Sequence, residues 1–170
     1  MILCRIAKCN YAADLSGTGA RLYGGRWNSV GQPMVYLASG RALAVLEVLV
    51  HLSPTMLPAD FCLVEFEAPE NDVLTIDKNI LPHNWQDPSA PVQLKQLGDS
   101  FLKQKEHLFM KVPSVIVPDD FNYLLNPLHS KAATVKLIRQ QPFSFDERLG
   151  LTLPSPKSNS PSRGSSHFID

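Results

Sequence analysis

Short runs of β-forming residues recur along this chain, and they limit its fold more than any other feature of the sequence. Their length and composition are typical of strands, and turn residues separate several of them. Two segments with helical spacing, residues 41–51 and 92–109, lie among them. The predicted strands are residues 1–7, 34–38, 61–67, 73–76, 114–117, 134–138 and 143–145. Because strands outnumber helices and do not alternate with them regularly, we expect a compact domain of the α/β class with a mixed, α+β order.

The last part of the chain differs in composition from the rest. Residues 151–170 are rich in Ser and Pro and carry few apolar side chains. Such a segment buries too little apolar surface to offset the entropy lost on ordering. The whole chain has 170 residues, of which 44% are apolar, enough for one core. We therefore expect a single domain over residues 1–150, followed by a disordered tail.

Charge and cysteine content limit which partners this protein is expected to bind and where in the cell it is expected to be. The 16 basic residues balance the 16 acidic ones, so no net field attracts nucleic acid or a membrane surface. The N-terminus lacks a secretory apolar stretch, and the longest apolar run, residues 42–52, is too short to span a bilayer. Cys4, Cys9 and Cys62 lack zinc-site spacing, and we expect all three to be reduced. These features predict a soluble, cytoplasmic protein.

A pair of glycines precedes an arginine in the first third of the chain. Gly24 and Gly25 indicate either a tight turn or a place where the backbone lies against a ligand. In the second case, Arg26 would offer a planar, forked cation to a diphosphate or a ribose. Neither a Walker A motif nor G-x-G-x-x-G accompanies these glycines. Trp27, the next residue, is predicted to belong to the core.

One carboxylate is predicted on an apolar helix face. Glu47 has apolar side chains four residues before it and three residues after it. Burying an unpartnered carboxylate is costly, so this side chain must be paired, protonated or directed into a cavity. Two interpretations stay open. Glu47 is either half of a structural ion pair with Arg26, Arg41 or His51, or a catalytic carboxylate at a pocket wall.

Two common classes of enzyme lack their motifs. No G-x-S-x-G marks a serine hydrolase, and Ser114 alone is predicted to be a buried serine bonded to the backbone. The histidines show no H-E-x-x-H or similar spacing, so no metal site is expected. They are His51, His83, His107, His129 and His167.

Taken together, several motifs resemble the RES-domain toxins, a family named for Arg, Glu and Ser. Each motif is a weak signal alone, but their order and spacing over nearly all of residues 1–150 are specific. The motifs are Cys4-Arg5-Ile6, Gly24-Gly25-Arg26-Trp27-Asn28, Val35-Tyr36-Leu37-Ala38, Ala42-Leu43-Ala44-Val45-Leu46-Glu47, Val112-Pro113-Ser114-Val115-Ile116-Val117, Asn122-Tyr123-Leu124-Leu125-Asn126-Pro127 and Phe143-Ser144-Phe145-Asp146.

The resemblance implies a fold like that of the ADP-ribosyltransferase toxins and a cleft for NAD⁺. It also implies an activity: NAD⁺, as substrate and with no further cofactor, loses nicotinamide by hydrolysis, phosphorolysis or ADP-ribosyl transfer. A cognate Xre-type antitoxin would hold the toxin in check and alone contact DNA, in a complex in which the toxin is monomeric or dimeric. No direct nucleic-acid binding and no membrane contact are expected.

The same resemblance assigns roles residue by residue. Arg26 corresponds to the family arginine, Glu47 to the glutamate and Ser114 to the serine, and all three are candidate catalytic residues. Tyr36, like Arg26 and Ser114, is expected to contact NAD⁺. Further candidates for NAD⁺ binding are Arg5, Tyr23 and Asn122. A carboxylate at Glu47 would stabilise the positive charge that develops on the ribose.

Two other classes of function remain as alternatives. In a non-catalytic nucleotide-binding or interaction module, Glu47 and Arg26 would pair structurally. A nuclease toxin would need a basic surface with interleaved aromatic residues, which the charge balance does not favour.

Overall fold

The computed structural model describes residues 1–52 and 60–149. The strands are β1 (Ile2–Lys8), β2 (Val35–Ala38), β3 (Phe61–Glu67), β4 (Val73–Thr75), β5 (Phe109–Pro113), β6 (Phe121–Leu125) and β7 (Lys136–Phe143). The α-helices are α1 (Cys9–Ala12), α2 (Thr18–Tyr23), α3 (Arg41–Leu49) and α4 (Val92–Gln104). The predicted tail lies outside the described residues. Among those residues, no helix has the length and apolar character needed to cross a membrane.

The strands form one mixed sheet. Within the described residues it has seven strands in the order β4-β5-β6-β2-β1-β3-β7. The β4 and β5 strands are parallel, and the other neighbours are antiparallel. The predicted mixed α/β domain is confirmed.

The register of the central strands decides which side chains share a face of the sheet. Directly paired residues point to the same side. Cys4 pairs with Ala38, Ala38 with Asn122, and Tyr36 with Leu124. Since Tyr36 and Ala38 are two residues apart on β2, all five side chains lie on one face.

Two helices cover parts of that face. On one side, α3 packs against β1 and β2, with Leu43 and Ala44 in a core cluster beside Cys4. On the other side, α4 packs over β5 and β6, where Leu94 lies in a cluster with Leu124. The α1 helix covers the opposite face, which holds a third apolar cluster. The surface over β2 and β6 is thus left between α3 and α4.

A glycine in α4 sets the distance between this helix and the chain that follows α2. A Cβ at Gly98 would overlap the backbone carbonyl oxygen of Trp27 and lie 2.8 Å from its carbonyl carbon. The next residue, Asp99, accepts a hydrogen bond of 2.9 Å from the backbone N–H of Ser29. Gly98 therefore lets α4 lie directly on residues 27–29. Trp27 is 3% exposed, as the core prediction required.

The predicted strand at residues 114–117 is wrong. The strand there is β5, which ends at Pro113. The Ser114 hydroxyl accepts hydrogen bonds from the backbone N–H groups of Ile116 and Val117, at 3.1 and 3.2 Å. These N–H groups are consequently not free to form a ladder, and the chain turns instead. The predicted 92–109 helix is too long, since α4 ends at Gln104 and the next residue, Lys105, adopts a left-handed conformation.

The cysteine prediction is also wrong for two of the three thiols. Cys9 and Cys62 form a disulfide, with Cα atoms 4.8 Å apart, and Cys4 is free and buried. The reason lies in the sheet register. Ala7 of β1 pairs with Cys62 of β3, and Cys9 follows directly after the end of β1. Residues 53 positions apart in sequence thereby become neighbours.

Candidate active site

A cleft of about 1270 Å³ opens on the sheet face between α3 and α4. Its floor is formed by the central strands, one wall by α3, and the opposite wall by residues 86–90 and the first turn of α4. Of the residues predicted from the sequence to bind or act on a ligand, six line it. They are Arg5, Tyr23, Arg26, Tyr36, Glu47 and Asn122.

The Glu47 carboxylate is held by two neutral donors on one oxygen. Ser114 Oγ donates to Oε1 at 2.9 Å, and Asn122 Nδ2 donates to the same oxygen. No Lys, Arg or His of the described chain forms a salt bridge with this carboxylate, and Arg41 pairs with Glu65 instead. The structural ion pair considered for Glu47 is therefore not formed. Its negative charge lies at the cleft, with the second oxygen free of hydrogen bonds from described residues.

Ser114 lies behind Glu47 and does not line the cleft. Its side chain is buried, and its hydroxyl joins the carboxylate to the turn after β5. Glu47 and Asn122 therefore face the cleft directly, and Ser114 holds the Glu47 carboxylate from behind.

The Arg26 guanidinium lies against the cleft wall that faces α3. Its Nη1 donates to the backbone carbonyls of Trp85 and Asp87, at 2.9 and 3.0 Å. Partial burial lowers the pKa of Arg26, and the negative charge of Glu47 opposes that shift. Its Nε and Nη2 atoms donate no hydrogen bond to any described residue. These groups are the ones that an anionic ligand could reach.

Tyr36 is fixed by a buried asparagine that the sequence did not single out. The Tyr36 hydroxyl donates to Asn28 Oδ1 at 2.7 Å and accepts from the Trp27 N–H at 3.1 Å. Burial raises the pKa of Tyr36 far above its ordinary value, so the hydroxyl stays protonated. Asn28 is fully buried, and its Nδ2 donates to the Ala20 and Gln32 carbonyls. Gly25 must lack a side chain because its Cβ would lie 2.8 Å from Asn28 Oδ1.

The remaining predicted residues differ in how freely they face the cleft. Arg5 Nη1 donates to the Asp14 carbonyl at 2.8 Å, and burial lowers the pKa of Arg5. Tyr23 lies at the edge and is 84% exposed. Lys95, which the sequence reasoning missed, also lines the cleft. Among the described lining residues, three Arg or Lys side chains thus face a single carboxylate, that of Glu47.

This charge balance favours an anionic ligand, and the cleft is large enough for one bigger than a typical small-molecule substrate. Within the described part of the chain, no group of three or more His, Cys, Asp or Glu side chains is placed to hold a metal ion.

Comparison with known proteins gives consistent matches over most of the chain. The model of the RES domain family matches residues 2–146. A protein named Toxin Res from Photorhabdus laumondii is 40% identical over 154 residues, covering 88% of this chain and 97% of its own length. A protein named Prs ADP-ribosylating toxin, from Sphingobium, is 39% identical over 147 residues, covering 84% of this chain and 91% of its own.

The fold is shared with a solved structure at lower identity. A chain of the M. tuberculosis MbcT–MbcA toxin–antitoxin complex superposes with a TM-score of 0.71 at 17% identity, and 84% of each chain is covered. At this identity the likeness establishes the fold alone.

Proposed function

This chain belongs to the RES domain family of toxins, and from that premise we propose that it cleaves the nicotinamide–ribose bond of NAD⁺. The observation that carries the proposal is the Glu47 carboxylate. It lies in a cleft lined by cations, yet it has no cationic partner among the described residues. A carboxylate without a cationic partner is suited to stabilise a positive charge that develops only during the reaction.

Cleavage of the nicotinamide–ribose bond needs a negative charge beside the ribose. As the glycosidic bond breaks, the ribose becomes oxocarbenium-like, and nicotinamide leaves as a neutral ring because its nitrogen was already cationic. Glu47 stabilises the ribosyl cation or holds the ribose 2′-hydroxyl. Since the leaving group requires no proton, we propose that NAD⁺ reacts without a further cofactor.

The other residues bind and position the substrate in this proposal. Arg26 uses Nε and Nη2 to hold the diphosphate, and the Tyr36 ring forms a wall for the nicotinamide. Ser114 and Asn122 keep the Glu47 carboxylate directed into the cleft. Arg5 and Tyr23 complete the lining.

The acceptor of the ADP-ribosyl group is tested by incubating the purified chain with NAD⁺ in three arms: buffer alone, buffer with inorganic phosphate, and buffer with cell extract. Mass spectrometry then identifies ADP-ribose, ADP-ribose phosphate or a modified protein. Free nicotinamide is expected in at least one arm. If NAD⁺ binds but stays intact in all three, the chain is the non-catalytic nucleotide-binding module.

Replacing Arg26 by lysine is expected to weaken NAD⁺ binding. The positive charge remains, but the planar fork that makes two parallel hydrogen bonds to phosphate oxygens is lost. We expect KM for NAD⁺ to rise about tenfold or more, since a hydrogen bond to a charged group is worth roughly 1.5–3 kcal/mol. Steady-state kinetics of nicotinamide release measure the change. Arg21→Lys, on the exposed surface of α2, is the matched control. If KM for NAD⁺ is the same in Arg26→Lys as in the unmodified chain, Arg26 does not bind the diphosphate.

We further propose that the chain acts in the cytoplasm and that an Xre-type antitoxin binds it at the cleft mouth near Arg26. The solved relative of the same fold was crystallised as a toxin–antitoxin complex. The balanced charge of this chain supports DNA contact through the antitoxin only.

Co-expression with the neighbouring antitoxin gene is expected to yield a stable complex that no longer releases nicotinamide. Light scattering of that complex gives the number of toxin copies. A mobility shift of operator DNA by the toxin alone would contradict the partner proposal.

A further inference from the structure

The first turn of α4 brings a second cation to the wall that holds Arg26. Gly98 lies on the backbone of Trp27, and Asp99 binds the N–H of Ser29, so this part of α4 runs along the segment that starts at Arg26. Lys95 precedes Gly98 by three residues and therefore lies on the same side of the helix, one turn closer to its N-terminus. This places Lys95 at the cleft, which it lines.

The segment before α4 places Arg26 and Lys95 along the same wall of the cleft. Arg26 donates to the carbonyls of Trp85 and Asp87, and the chain then passes along the cleft wall into α4. Lys95 is half-buried there. Its ammonium group makes no hydrogen bond or salt bridge with any described residue.

A dinucleotide diphosphate carries one negative charge on each of two adjacent phosphates. Arg26 supplies a fork, which suits one phosphate, and a lysine supplies a compact point charge that suits the other. Arg5, the third cation of the cleft, uses one donor on the Asp14 carbonyl, whereas Lys95 makes no hydrogen bond with any described residue and keeps all three of its donors for a ligand.

We propose that Lys95 binds the diphosphate of the substrate together with Arg26, each residue holding one phosphate. This inference rests on the proposed function, because it names the contact that anchors the same substrate in the same cleft. The role is binding, and Lys95 takes no part in breaking the glycosidic bond.

The test compares Lys95→Gln with Lys95→Arg and with Lys103→Gln, a control on the exposed end of α4. For Lys95→Gln we expect KM for NAD⁺ to rise about tenfold with kcat changed by less than about twofold, since one charged phosphate contact is lost. Lys95→Arg should restore most of the loss. KM of the Lys103 variant should equal that of the unmodified chain, and all melting temperatures should agree.

Calorimetric binding of ADP-ribose, which contains the diphosphate but no scissile nicotinamide bond, supplies a readout independent of turnover. The Kd for ADP-ribose should be higher for Lys95→Gln than for the unmodified chain, by a factor similar to that of KM. Adding salt should raise the Kd of Lys95→Gln less steeply than that of the unmodified chain, because one charged contact is missing. An unchanged Kd and KM, or a loss confined to kcat, would overturn the assignment of Lys95. A chain that binds ADP-ribose through Lys95 but leaves NAD⁺ intact would instead overturn the proposed function and leave the assignment standing.

Discussion

Replacing Glu47 by glutamine is expected to lower the rate of nicotinamide release by a factor of about 10² or more. The amide oxygen can take the place of Oε1 and still accept the hydrogen bonds from Ser114 and Asn122, because both reach the same carboxylate oxygen. Only the negative charge facing the cleft is lost. The melting temperature should therefore stay within roughly 2 °C of the unmodified chain.

Glu106→Gln, on the exposed segment after α4, is the matched control for removing a carboxylate charge. It should keep full activity and stability. Thermal melts and single-turnover nicotinamide release are measured for all three proteins. A Glu47→Gln protein that melts early but releases nicotinamide normally would make Glu47 a structural residue.

Replacing Gly98 by alanine is expected to have the largest effect on stability. The added methyl group would overlap the Trp27 carbonyl oxygen, which is backbone and cannot rotate away. We expect the free energy of unfolding to fall by about 3 kcal/mol, the upper part of the range for overpacked sites. Since α4 would move away from residues 27–29, NAD⁺ binding should weaken as well.

Gly19→Ala in α2 is the control, because a Cβ there meets no atom within 4 Å. Alanine is the better helix former by up to about 1 kcal/mol, so this variant should be as stable as the unmodified chain or slightly more so. Denaturant unfolding compares the three proteins. Equal stability of Gly98→Ala would show that α4 does not lie against Trp27 as described.

The regular elements near the N-terminus were predictable because their own residues determine them. The β-rich runs at β1, β2 and β3 and the apolar spacing of α3 match the observed bounds closely. The α1 and α2 helices were missed since each is too short to show a helical period. The β6 strand was missed because its polar Asn122 and Tyr123 do not form an apolar run, although both lie on a central strand.

The partners of the site residues depend on topology, which local patterns do not encode. Glu47 and Asn122 are 75 residues apart, and they meet because β6 pairs with β2 beneath α3. The Cys9–Cys62 pair was missed for the same reason, as it follows from the register of β1 and β3. Glycine is unfavourable inside a helix, yet at Gly98 of α4 the contact with the Trp27 backbone leaves no room for a side chain, which the local sequence does not reveal.

In the proposed reaction, NAD⁺ bound in this cleft breaks between nicotinamide and ribose. Proton NMR of the purified chain with NAD⁺ tests it most directly, because the free nicotinamide and the intact dinucleotide give separate signals in one sample. We expect nicotinamide to appear in an amount equal to the NAD⁺ lost. NAD⁺ that remains intact, or that splits into AMP and nicotinamide mononucleotide, would contradict the proposed reaction.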